Sequence, residues 1–140
     1  MRAFPQARKG ISSVIDNLVN ALQVFLRGNR VGFDLNIVNW SNCSDTQQRI
    51  LRAEAGIPRG WVSTYKRIAQ HVGIRNGARV VGNALARNPF PIIIPCHRAV
   101  NSDGNLGGYQ GGLAMKKKLL ENEGIKFSKS GKVVMETVFY

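Results

Sequence analysis

Two adjacent side chains, Cys96 and His97, are the pair in this sequence whose types can together do covalent chemistry. A cysteine attacks as its thiolate, and at an ordinary pKa of about 8.5 only a small fraction is ionised at neutral pH. It therefore needs a base. His97 can serve only if the chain turns at Pro95 and Cys96, because consecutive residues of an extended strand point to opposite faces. Such a histidine works best when a carboxylate orients it and stabilises the imidazolium; Glu121 and Glu123 are the nearest candidates in the sequence. The residues alone leave a second reading open, since a lone cysteine after the apolar run Ile92-Ile93-Ile94 also fits a small buried hydrophobe. Other chemistries have less to stand on. With 2 Cys and 2 His and no C-x-x-C or H-x-x-x-H spacing, no metal site is expected. The glycines between Gly104 and Gly112 lack the Gly-Lys-Ser/Thr of a phosphate-binding loop, so no nucleotide cofactor is expected either.

The elements that must position the pair can be read from periodicity and punctuation. Ser44 or Asp45 can cap a helix through Gln48, Ile50, Leu51 and Ala53 to Ala55, ended by Gly56 and Pro58. A second helix is predicted over about Ser63 to His71, with Tyr65, Ile68, Ala69 and Val72 inward and Gly73 as its break. A third is predicted over about Asn76 to Arg87, stopped at Asn88-Pro89. Helix, glycine turn, helix is the helix-turn-helix pattern, although an ordinary αα-hairpin has the same spacing. A buried apolar triplet then delivers Cys96, a glycine-rich loop follows, and a last helix is predicted over Leu113 to Asn122 before Gly124. The tail from Ile125 reads as two short strands around Ser130-Gly131, a hairpin or wing. Upstream, Ile11, Val14, Ile15, Leu18, Ala21, Leu22 and Phe25 form one apolar helical stripe closed by Gly28, and Phe33 to Val38 alternates as a short strand. Three segments result: 1–44, a helix plus a strand; 45–124, the helix-turn-helix and the Cys-His pair; and 125–140, the hairpin or wing. The fold class is α+β, mostly α.

Charge decides between the readings of the helix pair. The 140 residues carry 20 Lys and Arg against 8 Asp and Glu, a net +12. Between Arg49 and Arg98 there are nine basic residues and a single acid, Glu54, so +8 of the total falls in this third of the chain. Self-repulsion on that scale is offset by a polyanion, and a one-sided run around a helix pair reads as a phosphate footprint. Nucleic acid is the expected partner. No apolar run approaches a membrane span, and the basic stretch 1–9 is followed by Asp16, Asn17, Asn20 and Gln23 rather than a signal-peptide core. A soluble, cytoplasmic protein is expected.

The run Ile94-Pro95-Cys96-His97-Arg98 resembles the active-site motif of the O6-alkylguanine-DNA alkyltransferases, also called methylated-DNA-protein-cysteine methyltransferases. The resemblance extends without a gap from about Gly60 to Gly124, through Tyr65, Ala78-Arg79-Val80-Val81-Gly82, Asn88-Pro89, Gly107-Gly-Tyr-Gln-Gly-Gly-Leu and Glu123-Gly124. It implies a winged-helix/helix-turn-helix module behind a truncated ribonuclease H-like appendage. The implied activity is stoichiometric transfer of a methyl or other alkyl group from guanine O6 in double-stranded DNA to Cys96, once per molecule. Cys96 is then the acceptor. Glu123 holds His97, His97 acts through a water on Cys96, and Asn88 sits where the recognition helix turns into an active-site strand. The target nucleotide must leave the stack. By the same resemblance Arg79 fills the vacated space, Tyr65 presses on the neighbouring phosphate, and the helix bearing Gly82 enters the minor groove. Tyr109 walls the alkyl group, Gly107 belongs to a mobile wall shaped around the base, the backbone at Cys96 and Ala99 reads the guanine edge, and Lys116 lies beside the site.

Two departures qualify the resemblance. Gln110 stands where well-known members often carry a serine that donates to guanine O6, which bears on bulky adducts. The apolar stripe of the first helix lacks the strands that usually precede it, so Phe33 to Val38, the C-terminal hairpin or another chain must cover it. A monomer is expected, with a dimer through this segment as the alternative. Cys43 reads as a structural thiol and His71 as a helix-surface residue. The competing function is that of the alkyltransferase-like proteins, which bind lesions without transfer and typically replace the cysteine. A winged-helix transcription regulator would explain the basic hairpin but not Pro-Cys-His-Arg.

Overall fold

Ser44 accepts a hydrogen bond from the Gln47 backbone N–H at 3.2 Å and opens helix α2, Asp45–Ala55. Such a cap contributes about 0.5–2 kcal/mol. In the computed structural model, which describes residues 10–140, α2 is followed by the two-residue strand β1 (Ser63–Thr64), helix α3 (Tyr65–His71), helix α4 (Ala78–Ala86), strand β2 (Ala99–Val100) and helix α5 (Leu113–Asn122). The chain divides into two compact units after Val31, and all of these elements lie in the second, Gly32–Tyr140. Helices α2, α3 and α4 pack on one another around Ile50, Leu51, Ile57, Ile68, Val81 and Ile94, each wholly buried. Burying each such side chain is worth roughly 1.5–3 kcal/mol, and this triangle is what holds the helix pair. A second cluster, Val62, Val100, Leu120, Ile125 and Val133, fixes α5 and the tail.

The helix ends follow from their glycines. Gly73, at φ 73, lets Ile74 N–H reach Ala69 C=O at 2.8 Å while its own N–H reaches Gln70 C=O, a Schellman cap on α3. Gly124, at φ 86, does the same for α5 through Ile125 N–H to Leu120 C=O at 3.0 Å. The second cap leaves Glu123 as the last half-helical residue, facing inward.

The sheet is smaller than the sequence suggests: two parallel strands, with Ser63 opposite Ala99 and Thr64 opposite Val100. Phe33 to Val38 is not a strand. Asp34 Oδ1 accepts from Asn36 N–H at 2.9 Å and Asn39 Oδ1 from Ser41 N–H at 3.1 Å, turning the chain through two short 3-10 segments, Leu35–Ile37 and Trp40–Asn42. Alternating hydropathy loses here to Asx turns that satisfy the backbone locally. The triplet Ile92-Ile93-Ile94 is not a strand either, and of the three only Ile94 is buried. Ile92 takes φ 74, a left-handed conformation that costs a β-branched residue on the order of 1–3 kcal/mol. In the tail, the predicted strand pair reduces to one antiparallel bridge, Phe127 with Val133, around a turn closed by Gly131 N–H to Ser128 C=O. The first unit contains helix α1, Ser13–Leu26, of whose stripe Phe25 is buried while Ile11, Val14 and Ile15 are exposed. The basic stretch 1–9 lies outside the described residues. No helix among the described residues is long and apolar enough to cross a membrane.

Candidate active site

Pro95 makes the turn that the Cys-His pair requires. At φ −80, ψ 61 it is the centre of an inverse γ-turn closed by Cys96 N–H to Ile94 C=O at 2.8 Å, and a single 3-10 turn, Cys96–Arg98, follows. His97 and Arg98 thereby turn into the interior, toward the end of α5. His97 Nε2 lies 2.8 Å from Glu123 Oε1, and Arg98 grips the same carboxylate through Nε and Nη2 at 2.9 Å each. Arg98 Nη1 also donates to Ile57 C=O at 2.6 Å. Burial pushes the Glu123 carboxyl up, but the hydrogen bonds from His97 and Arg98 outweigh it and hold the group down at about 2. Ionised Glu123 can only accept, so the His97 proton sits on Nε2 and the imidazole lone pair on Nδ1. Burial lowers the His97 pKa, with Glu123 opposing, which keeps the ring neutral and able to accept a proton. Glu121, the other candidate acid, is exposed and 3.9 Å from Lys117 on its own helix.

Cys96 is 5% exposed. Burial raises its thiol pKa, while the Asn88 side-chain hydrogen bond and the Lys116 charge pull it down without cancelling that cost. The net direction is upward, so this thiol needs a base more than an exposed one would. Asn88 does lie at the turn after α4, donating from Nδ2 to Ile94 C=O at 3.1 Å and accepting Phe90 N–H at 2.9 Å, but no active-site strand follows it.

Cys96 opens on a cleft of about 760 Å³, bounded on one side by α3 and α4 and on the other by the glycine-rich segment. Tyr65, Arg79, Gly82, Gly107, Tyr109 and Gln110 all line it. So do Asn101 and Ser102, which sequence reasoning did not single out. Gly107 is required twice over: its φ is 70, and a Cβ there would stand 2.7 Å from the Tyr65 hydroxyl oxygen. Gly82 differs, since a Cβ would meet only Tyr65 Cδ1 at an ordinary 4.0 Å. Helix packing does not demand a glycine in the middle of α4.

Ala99 and Lys116 do not line the cleft; they support it from behind. Lys116 is wholly buried and its Nζ donates to the carbonyls of Ala99 at 2.6 Å, Leu106 at 2.5 Å and Gly108 at 3.3 Å, with the Tyr65 hydroxyl at 3.4 Å. Burial brings its pKa down to about 8, against the pull of Glu54 and Cys96. Glu54, the lone acid of the basic third, is also wholly buried, and neither carboxyl oxygen has a hydrogen-bond partner. Burial lifts it to about 8 in spite of Lys116 and Arg98. A folded-state pKa above the ordinary value of 4.5 means that the native state keeps a proton which the unfolded chain releases. The contribution of Glu54 to stability therefore falls as pH rises from about 4.5 to about 8. Glu54→Gln should remove this slope, so its gain in melting temperature over the wild type should widen between pH 5 and 8; a constant offset would refute the assignment.

The basic footprint is smaller than the charge count. Arg98 is spent on Glu123, Arg59 donates to Asn122 C=O at 2.5 Å, Arg49 and Arg67 donate to the carbonyls of Val72 and Tyr140, and Arg52 lies 4.2 Å over the Trp40 ring. Lys66, Arg75, Arg79 and Arg87 are exposed along α3, α4 and the turns that flank α4. His71, at the surface, stacks on Tyr140 with ring centroids 3.8 Å apart, and Cys43 is buried in the core. No group of three or more His, Cys, Asp or Glu side chains that could hold a metal ion occurs among the described residues.

The site thus combines a helix pair with exposed Lys66, Arg75, Arg79 and Arg87, a cleft that reaches Cys96 and, in the turn that follows, His97 paired with Glu123. Residues 45–125 match the model of the 6-O-methylguanine DNA methyltransferase DNA-binding domain, and the chain belongs to that family. It is 46% identical over 111 residues to the methylated-DNA–protein-cysteine methyltransferase of Methanothermobacter thermautotrophicus, covering 79% of this chain and 62% of the relative. The chain thus spans less than two thirds of that relative's length. Among solved structures it is similar to Mycobacterium tuberculosis OGT in complex with DNA, at TM-score 0.72 and 38% identity, covering 77% of this chain and 66% of that one. It is also similar to S. pombe Atl1 in complex with damaged DNA containing O6-carboxymethylguanine, at TM-score 0.58 and 30% identity over 69% of this chain and 95% of that one.

Proposed function

We propose that this protein repairs DNA by direct reversal, moving an alkyl group from the O6 of guanine in a duplex to its own Cys96, once per molecule. The observation that carries the reading is Cys96 lining a cleft beside the basic helix pair, with a neutral, carboxylate-anchored His97 next to it in the turn. In the step, the sulfur attacks the alkyl carbon, an S–C bond forms and the C–O bond breaks. Guanine keeps the electron pair. The thiol proton passes by way of a water to His97, whose imidazolium Glu123 stabilises, and the neutral thioether that results leaves nothing to regenerate the thiol.

Access requires the nucleotide to leave the stack, at a cost of a few kcal/mol that binding contacts must offset. In this reading Arg79, exposed on α4 at the cleft mouth, fills the space left behind, and Tyr65 presses on the adjoining phosphate. Tyr109 walls the alkyl group, and the Cys96 backbone meets the guanine edge. Ala99 C=O can take part only by sharing its bond with Lys116. Helices α3 and α4 act as the helix-turn-helix, with the bridged tail as the wing. The family's other activity, binding a lesion without transfer, needs neither Cys96 nor the His97–Glu123 pair, and their geometry favours transfer.

The test is to incubate the protein with a duplex containing O6-methylguanine and measure its intact mass. One added methyl group on the Cys96 peptide is expected; lesion binding with unchanged mass would assign it to the binding-only class. Gly82 supplies a second check, because α4 carries a mid-helix glycine that packing does not require. Gly82→Ala should stabilise the fold by about 0.5–1 kcal/mol while weakening duplex binding, as expected if α4 lies tight in a narrow groove. Melting and fluorescence anisotropy read the two effects, and unchanged affinity would remove the close approach.

A further inference from the structure

The C-terminal end of α4 is held by two glutamines from two different elements. A helix end leaves its last carbonyls without intrahelical partners, and α4 has no basic residue in its last turn. Gln47, on α2, donates from Nε2 to Ala84 C=O at 3.3 Å and Arg87 C=O at 3.2 Å. Gln110, in the glycine-rich segment, donates from Nε2 to Leu85 C=O at 3.3 Å and Asn88 C=O at 3.1 Å. The two clamps do the same service for the helix, but their own attachments differ. Gln47 belongs to a packed helix. Gln110 belongs to an irregular wall of the cleft, between glycines of positive φ at 107 and 112.

That wall is anchored at its near end by Lys116, which holds the carbonyls of Leu106 and Gly108. Beyond Gly108, Gln110 supplies the side-chain bonds that tie it to α4. Its target is informative, since Asn88 is the residue whose side chain holds Ile94 C=O and bears on the Cys96 thiol. We propose that Gln110 is a positioning residue, a latch fastening the glycine-rich wall to the end of α4 and the Asn88 turn, and thereby fixing the width of the cleft over Cys96. On the reading of the protein as an alkyltransferase, the latch sets which alkyl groups are admitted. A closed wall fits methyl closely, and a released one admits benzyl at the expense of methyl.

The matched clamps provide the control. Gln110→Glu keeps the shape but loses the donor and sets a negative charge against carbonyl oxygens; Gln47→Glu does the same from α2. Both should lower the melting temperature. Only Gln110→Glu, and Gln110→Ala with it, should speed amide hydrogen exchange at Tyr109 to Gly112 and slow methyl transfer from duplex DNA by on the order of tenfold, the loss expected for two hydrogen bonds. The ratio of benzyl to methyl transfer should rise in the Gln110 variants and stay at the wild-type value in Gln47→Glu. Equal shifts in both sets, or wall exchange unchanged in the Gln110 variants, would reduce Gln110 to a helix cap and overturn the proposal. If the wild type transfers nothing from either substrate, the alkyltransferase reading fails while the exchange comparison still decides the latch.

Discussion

Cys96→Ala is expected to abolish methyl uptake completely while leaving duplex binding within a few-fold of wild type. The asymmetry follows from where the groups sit. Cys96 is 5% exposed and lines the cleft, whereas the exposed basic residues Lys66, Arg75, Arg79 and Arg87 lie along the helix pair. Phosphate contacts of that kind set sequence-independent affinity and its salt dependence, and none of them passes through the sulfur. Truncating a small buried side chain also costs little packing, so the variant should stay folded. Intact mass after incubation with O6-methylguanine duplex, beside anisotropy on the same duplex, makes the comparison. Residual methyl uptake in Cys96→Ala would move the acceptor elsewhere, with the buried Cys43 the first to check.

Glu123→Gln should be the most damaging change that preserves shape. The carboxylate takes hydrogen bonds from His97, from Arg98 by two nitrogens and from Gly60 N–H at 3.3 Å, all in the interior. Neutralising it leaves the Arg98 guanidinium buried without a counter-charge, and breaking a buried pair from one side costs about 3–5 kcal/mol. Urea unfolding should show a loss of that order. Transfer should fall in the folded fraction too, because His97 loses both the group that fixes its tautomer and the charge that stabilises its protonated form. The pH dependence separates this from a generic core defect. With a folded pKa of about 2 against an ordinary 4.5, Glu123 contributes stability that is complete above about 4.5 and disappears as pH falls toward 2. The variant should therefore converge on the wild type in acid, and a deficit that persists unchanged to low pH would contradict the assignment.

Local signals in the sequence were enough for the helices and their ends. Ser44, Gly73 and Gly124 act within a few residues of themselves, so capping could be read without knowing what packs where. The requirement for a turn at Pro95 was legible for the same reason, since proline fixes φ and the geometry of two adjacent side chains then follows. Local rules failed where two of them competed. Alternation in Phe33 to Val38 gave way to the Asx turns of Asp34 and Asn39, and the three isoleucines had no partner strand to join.

What the sequence showed by itself was an adjacent Cys-His pair whose types can do covalent chemistry, a helix pair ahead of it and a surplus of positive charge. It left Glu121 and Glu123 equivalent on the residues alone, because two carboxylates two positions apart differ only in which way the helix end faces. Tertiary structure made that choice, burying one against His97 and Arg98 and leaving the other on the surface. It also decided how the charge is used: several of the nine central basic residues serve carbonyls, a ring or Glu123 within the fold, and a smaller set remains along α3, α4 and their turns. The hydrogen bonds of Arg98 to Glu123 and of Gln110 to the end of α4 both span more than 20 residues of chain. No spacing encodes them. They exist because groups taken out of water are paired with whatever the folded chain brings near.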